Sequence, residues 1–193
     1  MYSHFYEDIP GWASFQDLYF QVVKDARDGA HFVEIGCWLG RSVALMAVEI
    51  ANSGKTIRFD CVDHWLGNPE LAGTPEMANG TLYESFLRNV APVRGFLNPV
   101  RLPSLKAAAT YADGSLDFVM IDASHVYEDC IADIRAWLPK IRRGGTLAGD
   151  DYHFPGVARA VGEAFGERAI IHTAPLNNIH YGPCRYWTFH PSA

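Results

Sequence analysis

The sequence is poor in the features that would announce a function at once. Its four cysteines, Cys37, Cys61, Cys130 and Cys184, form no CxxC pair and share no zinc-ligand spacing with histidine. Such usage fits reduced thiols in a reducing compartment. No apolar run approaches the roughly 20 residues that span a bilayer. The first residues, MYSHFYEDIP, lack the basic-then-apolar order of a secretory leader. A cytoplasmic protein without a membrane partner is expected. Positive charge is also in deficit, with 16 Lys and Arg against 22 Asp and Glu and a net charge of −6. Bulk attraction to nucleic acid is therefore not expected. The one basic cluster, Lys140, Arg142 and Arg143, reads as a helix C-terminus meeting its dipole. Repeats and low-complexity tracts are missing too. What remains is 193 residues at 49% hydrophobic content, enough for one core and a single domain over 1–193.

Hydrophobic periodicity orders the chain. Residues 1–29 form an N-terminal helical segment, with Phe15, Leu18, Tyr19, Val22 and Val23 at helical spacing before Gly29. Strands are expected at 31–36, 55–63, 99–102, 115–122, 146–151, 168–173 and 184–190. Helices are expected at 41–54, 80–93, 104–111, 126–145 and 156–166. Residues 66–79, rich in Gly, Pro, Asn and Ala, read as an inserted loop or lid. Strands alternating with helices imply a mostly parallel sheet covered on both faces. The last two strands have no helix between them and imply an antiparallel C-terminal hairpin. The fold class is thus α/β: a doubly wound, Rossmann-like, mostly parallel seven-stranded sheet.

In such sheets ligands sit beyond the carboxyl ends of the strands, near the point where strand order reverses. The stretch after the first strand, "HFVEIGCWLGRS", is therefore informative. Gly36 permits a tight turn and Gly40 lets the next helix start near a ligand. A dinucleotide fingerprint counted from Gly36 would need glycine at 38 and 41, where the chain has Trp38 and Arg41. No GK[ST] follows either. Glu34 beside the turn would repel phosphate and suit an ammonium group.

"VEIGCWLGRS" resembles motif I of class I S-adenosylmethionine-dependent methyltransferases, in the E-x-G-x-x-x-G-x-S form of the catechol O-methyltransferase group and of bacterial sugar and natural-product O-methyltransferases. The resemblance implies S-adenosylmethionine as cofactor, Glu34 near its amino group, and a turn from Gly36 through Gly40 to Ser42 that wraps it. It also implies that Asp63, ending "FDCVD", binds the ribose hydroxyls, and that Ser104 touches the adenine end. His64 and Trp65 either pack on the adenine or, for Trp65, anchor the loop that follows.

Asp122 ends the fourth strand, and Asp150 and Asp151 end the fifth. Neighbouring parallel strands lie about 4.8 Å apart, so the three carboxylates should converge above the cofactor turn. Crowded carboxylates repel unless a cation joins them, and hard oxygen ligands suit Mg²⁺, with Mn²⁺ or Ca²⁺ tolerated. The pattern "IDASHVYED…GG…GDDY" strengthens this, since catechol-type enzymes carry metal-binding acids at those places. The resemblance covers about residues 30–165. Where those enzymes have a lysine base, this chain has His125, whose ordinary pKa of about 6.5 suits proton removal near neutrality. The alternative is a histidine that hydrogen-bonds its own loop, and His153 is the rival base. His4, His31, His172, His180 and His190 have no such context.

The expected activity is methyl transfer to a hydroxyl of a small molecule, a sugar or natural product, with Asp122 and His125 at the reacting centre. His153, Tyr152, Asn177 and Tyr181 are candidate substrate contacts, with 66–79 and 175–183 as walls. The rivals are a metal-independent N- or O-methyltransferase, a non-catalytic cofactor-binding protein and a metal-dependent hydrolase. The aromatic residues Phe5, Tyr6 and Trp12 are candidates for joining subunits of a homo-oligomer.

Overall fold

The apolar runs of the sequence become a seven-stranded sheet in a computed structural model that describes residues 1–67, 73–174 and 183–191. The strands are β1 (Ala30–Ile35), β2 (Ile57–Asp63), β3 (Asn98–Arg101), β4 (Leu116–Ile121), β5 (Ile141–Gly149), β6 (Ile170–Thr173) and β7 (Arg185–Phe189). Their order is β3-β2-β1-β4-β5-β7-β6. The first five run parallel, and β7 is antiparallel to both β5 and β6. The chain steps outward from β1 to β3, then returns to β4 on the other side of β1. That reversal opens a crevice beyond the ends of β1 and β4.

The helices are α1 (Gln16–Asp25), α2 (Arg41–Ser53), α3 (Pro75–Asn79), α4 (Leu82–Asn89), α5 (Ser104–Ala108), α6 (Tyr127–Trp137) and α7 (Pro155–Phe165). They divide between two cores. Phe32, Phe59, Phe118 and Met120 pack with α1, α2 and α4 on one face. Val33, Ile35, Val119, Ile121 and Leu147 pack with α5, α6 and α7 on the other. Strand residues two apart share a face. The apolar residues of one buried strand therefore serve two separate cores. Among the described residues, no helix is long and apolar enough to cross a membrane.

One expected boundary needs correction. The helix expected over 126–145 ends earlier, and Ile141 already belongs to β5. Leu116 pairs with Ile141 but Phe118 with Thr146, so Arg142–Gly145 bulge out of the ladder. The bulge has a partner in Asp117, whose carboxylate accepts from Arg142 at 2.5 Å, Arg27 at 2.9 and 3.0 Å, and the His31 N–H at 2.9 Å. Burial raises the Asp117 pKa, but the donors of His31, Arg142 and Arg27 outweigh it and hold the carboxyl below its ordinary range. Arg142 thus serves a buried acid, while Lys140, at the end of the 3-10 turn Leu138–Lys140 that continues α6, pairs with Asp113 at 2.6 Å.

The inserted stretch 66–79 contains a helix, α3; residues 68–72 lie outside the described part. The N-terminal aromatics largely stay within the chain. Tyr6 is buried, Phe5 packs against the same core, and Trp12 is the exposed one.

Gly162 lies inside α7, and a Cβ added there meets nothing within 4 Å. Glycine in a helix interior costs roughly 0.5–1 kcal/mol relative to alanine. Gly162→Ala is therefore expected to raise the free energy of urea unfolding by about that amount.

Candidate active site

The turn after β1 is shaped by the strand beyond it. The Asp122 N–H donates to the Ile35 carbonyl at 2.8 Å, and the Gly36 N–H donates to the Val62 carbonyl at 3.0 Å. Gly36 has φ +89°, and a Cβ there would stand 1.8 Å from the Asp122 carbonyl oxygen. Its glycine is demanded by this close passage of backbone. Gly40, at φ +91°, faces Val90 and Phe86, 2.8 and 3.0 Å from a built Cβ. Both glycines of the motif thus serve packing.

Asp63, from the end of β2, holds the turn from the side. Its Oδ2 accepts from the N–H groups of Cys37 and Trp38, both at 3.0 Å, and its Oδ1 from the Trp65 N–H at 2.7 Å. A carboxylate offers about four acceptor positions, so capacity remains for a ligand hydroxyl. Trp65 is buried between Tyr83 and Phe86, with ring centroids at 4.8 and 4.7 Å, and its indole N–H donates to the Trp38 carbonyl. Of its two readings, the structure supports the loop anchor. His64 is more exposed, and its Nδ1 accepts from the Leu66 N–H. Ser104, expected at the adenine end, donates its hydroxyl to Asp133 at 2.5 Å and accepts from the Trp137 indole, both on α6.

The three acids do converge. One carboxylate oxygen each from Asp122, Asp150 and Asp151 lies within 4.8 Å of the others. Burial, then the charges of Asp150, Asp151 and Glu34, pushes the Asp122 carboxyl far above its usual range. Burial and the Asp151 charge push Asp150 up to about 7. Asp150 is 6% exposed, and its Oδ1 is buried with no hydrogen-bond partner among the described residues. Its Oδ2 accepts from the Ser14 hydroxyl at 2.7 Å. An orphaned, buried carboxylate oxygen beside two more acids is costly as it stands and suits a hard cation. A cavity of about 20 Å³, lined among others by Asp122, His125, Asp150 and Asp151, adjoins the cluster.

His125 Nε2 lies 2.7 Å from Asp151 Oδ2, and its ring stacks on Phe154 at 4.1 Å. Asp151 holds this position at φ +57°, a left-handed backbone uncommon outside glycine. His153 is close as well, with Nε2 3.8 Å from Asp151 Oδ1. Tyr152 is a weaker candidate than expected, because its side chain packs against the core beneath α6 and α7. Tyr181 and Asn177 lie outside the described residues, as does nearly all of the expected wall at 175–183.

Glu34, expected beside the turn and near the amino group of the cofactor, is the acid of β1. It shares a face with Phe32 by the two-residue period, and that face is covered by α1 and α2. It is fully buried, accepting from the Tyr19 hydroxyl at 2.7 Å and from Ser42 at 2.5 Å. Ser42 is buried with it and serves this bond. Sequence reasoning missed two residues here, Tyr19 and Ser14, both delivered by the N-terminal segment. Burial raises the Glu34 carboxyl from 4.5 to about 7, although Ser42 and Tyr19 pull it down. A carboxyl whose folded pKa exceeds its unfolded one stabilises fully below the unfolded value, and that contribution is lost as pH rises through the folded value. At 1.36 kcal/mol per unit, the loss between pH 4.5 and 7.5 is on the order of 3 kcal/mol. Glu34→Gln should flatten this slope, and urea midpoints measured across that range should show the variant gaining on the wild type as pH rises.

Comparisons with known proteins bear on the family and the fold. A family model described as a methyltransferase domain matches residues 33–152. The solved structure of the O-methyltransferase NovP is similar over 92% of this chain and 80% of its own, with a TM-score of 0.65 and 18% identity. Cofactor-bound Rv0187 from MTB is similar over 96% of this chain and 85% of its own, also with a TM-score of 0.65 and 18% identity. An rRNA methylase from Streptococcus thermophilus is similar over 92% and 94%, with a TM-score of 0.60 and 14% identity. Comparison with curated proteins by sequence gives no match. The matched segment runs from inside β1, through the glycine turn, to the residue after Asp151, and the chain belongs to the methyltransferase-domain family, as a class I S-adenosylmethionine-dependent methyltransferase.

Proposed function

We propose that this methyltransferase acts on a hydroxyl group of a small molecule, a sugar or natural product, and that it uses a divalent cation held by Asp122, Asp150 and Asp151. One observation carries the reading: Asp150, a member of a cluster of three acids, has a buried Oδ1 with no hydrogen-bond partner among the described residues. The donor set is all oxygen, which favours Mg²⁺, with Mn²⁺ or Ca²⁺ as substitutes. Such a cation would lower the pKa of an acceptor hydroxyl. Hydroxyl chemistry also accords with the printed description of NovP as an O-methyltransferase. An rRNA methylase shares the fold, but a net charge of −6 argues against nucleic acid as the acceptor here.

The chain's own residues then divide the work. The Gly36–Gly40 turn and Asp63 hold the methyl donor, with Asp63 using its remaining acceptor capacity on the ribose. Asp122, adjoining that turn through the Ile35 hydrogen bond, brings the acceptor site against the cofactor site. His125 takes the acceptor proton. The Asp151 carboxylate orients the imidazole through one oxygen, as carboxylates do for basic histidines elsewhere, and offers the other to the cluster. The main gain is alignment of donor and acceptor, with water excluded.

A panel of hydroxylated acceptors assayed with labelled S-adenosylmethionine tests the reading. Transfer to oxygen should fall at least about 100-fold on chelation and return with Mg²⁺. His125→Ala should lower kcat by about 10²–10⁴-fold. A rate indifferent to chelator would remove the cation, and an unchanged kcat in the His125 variant would move the base to His153.

A further inference from the structure

We infer that Ser14 is a positioning residue for the cation site, fixing Asp150 so that its Oδ1 alone points into the acid cluster. The inference rests on the cation reading above. The Ser14 hydroxyl donates to Asp150 Oδ2 at 2.7 Å across 136 residues of sequence. No other described side chain bonds to that carboxylate, and its Oδ1 is the buried atom left without a hydrogen-bond partner. The terminal torsion of an aspartate is broad and nearly two-fold. Without a donor on Oδ2, either oxygen or both would face the cluster.

The donor is not carried by a loose tail. Ser14 lies between Ala13 and Phe15, which are 7% and 0% exposed. The Phe15 ring packs on Tyr19 at 4.9 Å, and Tyr19 in turn holds Glu34 under the cofactor turn. Two residues earlier than Ser14, the Trp12 ring stacks on Trp38 of that turn at 5.4 Å. The segment before α1 is therefore pinned on both sides of Ser14, and the hydroxyl is presented at a fixed place. The sheet supplies the three acids; the N-terminal segment supplies the group that orients one of them. Partners of metal ligands commonly govern affinity by about 10–100-fold when removed.

Mn²⁺ titration of the full chain by calorimetry, with and without S-adenosylmethionine, tests this. Ser14→Ala should weaken Mn²⁺ binding by about 10–100-fold while leaving cofactor affinity in the absence of metal unchanged. Ser14→Thr, which keeps the hydroxyl, should restore Mn²⁺ affinity to within a few-fold of the wild type. Equal Mn²⁺ affinity in Ser14→Ala and wild type would overturn the role of Ser14 and leave the cation reading standing. A parallel loss of cofactor affinity, or no rescue by threonine, would also overturn it by showing a general structural defect. A wild-type chain that binds no Mn²⁺ in either condition would overturn both the cation reading and the role of Ser14.

Discussion

The close passage of two backbones governs the rest of this molecule. Where β1 ends, Gly36 turns against the carbonyl of Asp122 so tightly that a side chain would stand 1.8 Å from its oxygen. The Asp122 N–H donates to Ile35 in the same contact. This contact sets the Gly36 turn next to the first acid of the cluster. β5, paired to β4 through Ile121 and Gly149, then brings Asp150 and Asp151 to the same edge. On the reading proposed above, a methyl donor and a hydroxyl acceptor would meet at this seam.

The N-terminal segment completes what the sheet begins. Tyr19 satisfies a buried carboxylate under the turn, Ser14 holds a carboxylate in the acid cluster, and Trp12 stacks on Trp38. The sheet alone would leave Glu34 and Asp150 with fewer donors at buried positions, which is costly. Burial of charge at this site is thus compensated from outside the strand–turn–helix unit that carries the recognisable motif. The motif glycines serve packing, and the polar groups of α1 and its preceding turn serve the charges.

Much of this could be read from the sequence, for reasons that differ by residue. The strands were legible as short segments of apolar or alternating residues bounded by a helix or a turn signal. Asp122 and the Asp150-Asp151 pair were legible because each stands at the end of such a segment. β5 was harder. Arg142–Gly145 break its apolar pattern to form a bulge, and their partner Asp117 lies 25 residues from Arg142. The direction of Glu34 was available from its parity with Phe32, since the two must share a face. The partners of Ser104 were not legible, because position after a strand does not say which way a hydroxyl turns, and Asp133 and the Trp137 indole lie on α6. Ser14 and Tyr19 carry no motif at all. Their roles exist only once α1 docks against the sheet, so no spacing within the segment could reveal them.

The central claim is that the cofactor turn and the three-acid cluster form one reaction centre around a cation. A crystal structure of the chain with S-adenosylhomocysteine and Mn²⁺, using anomalous scattering to locate the metal, tests it most directly. The account predicts Mn²⁺ among Asp122, Asp150 and Asp151, ligated by Asp150 Oδ1, with the cofactor sulfur facing it from the Gly36 turn. Mn²⁺ bound elsewhere, or cofactor bound away from that turn, would contradict it.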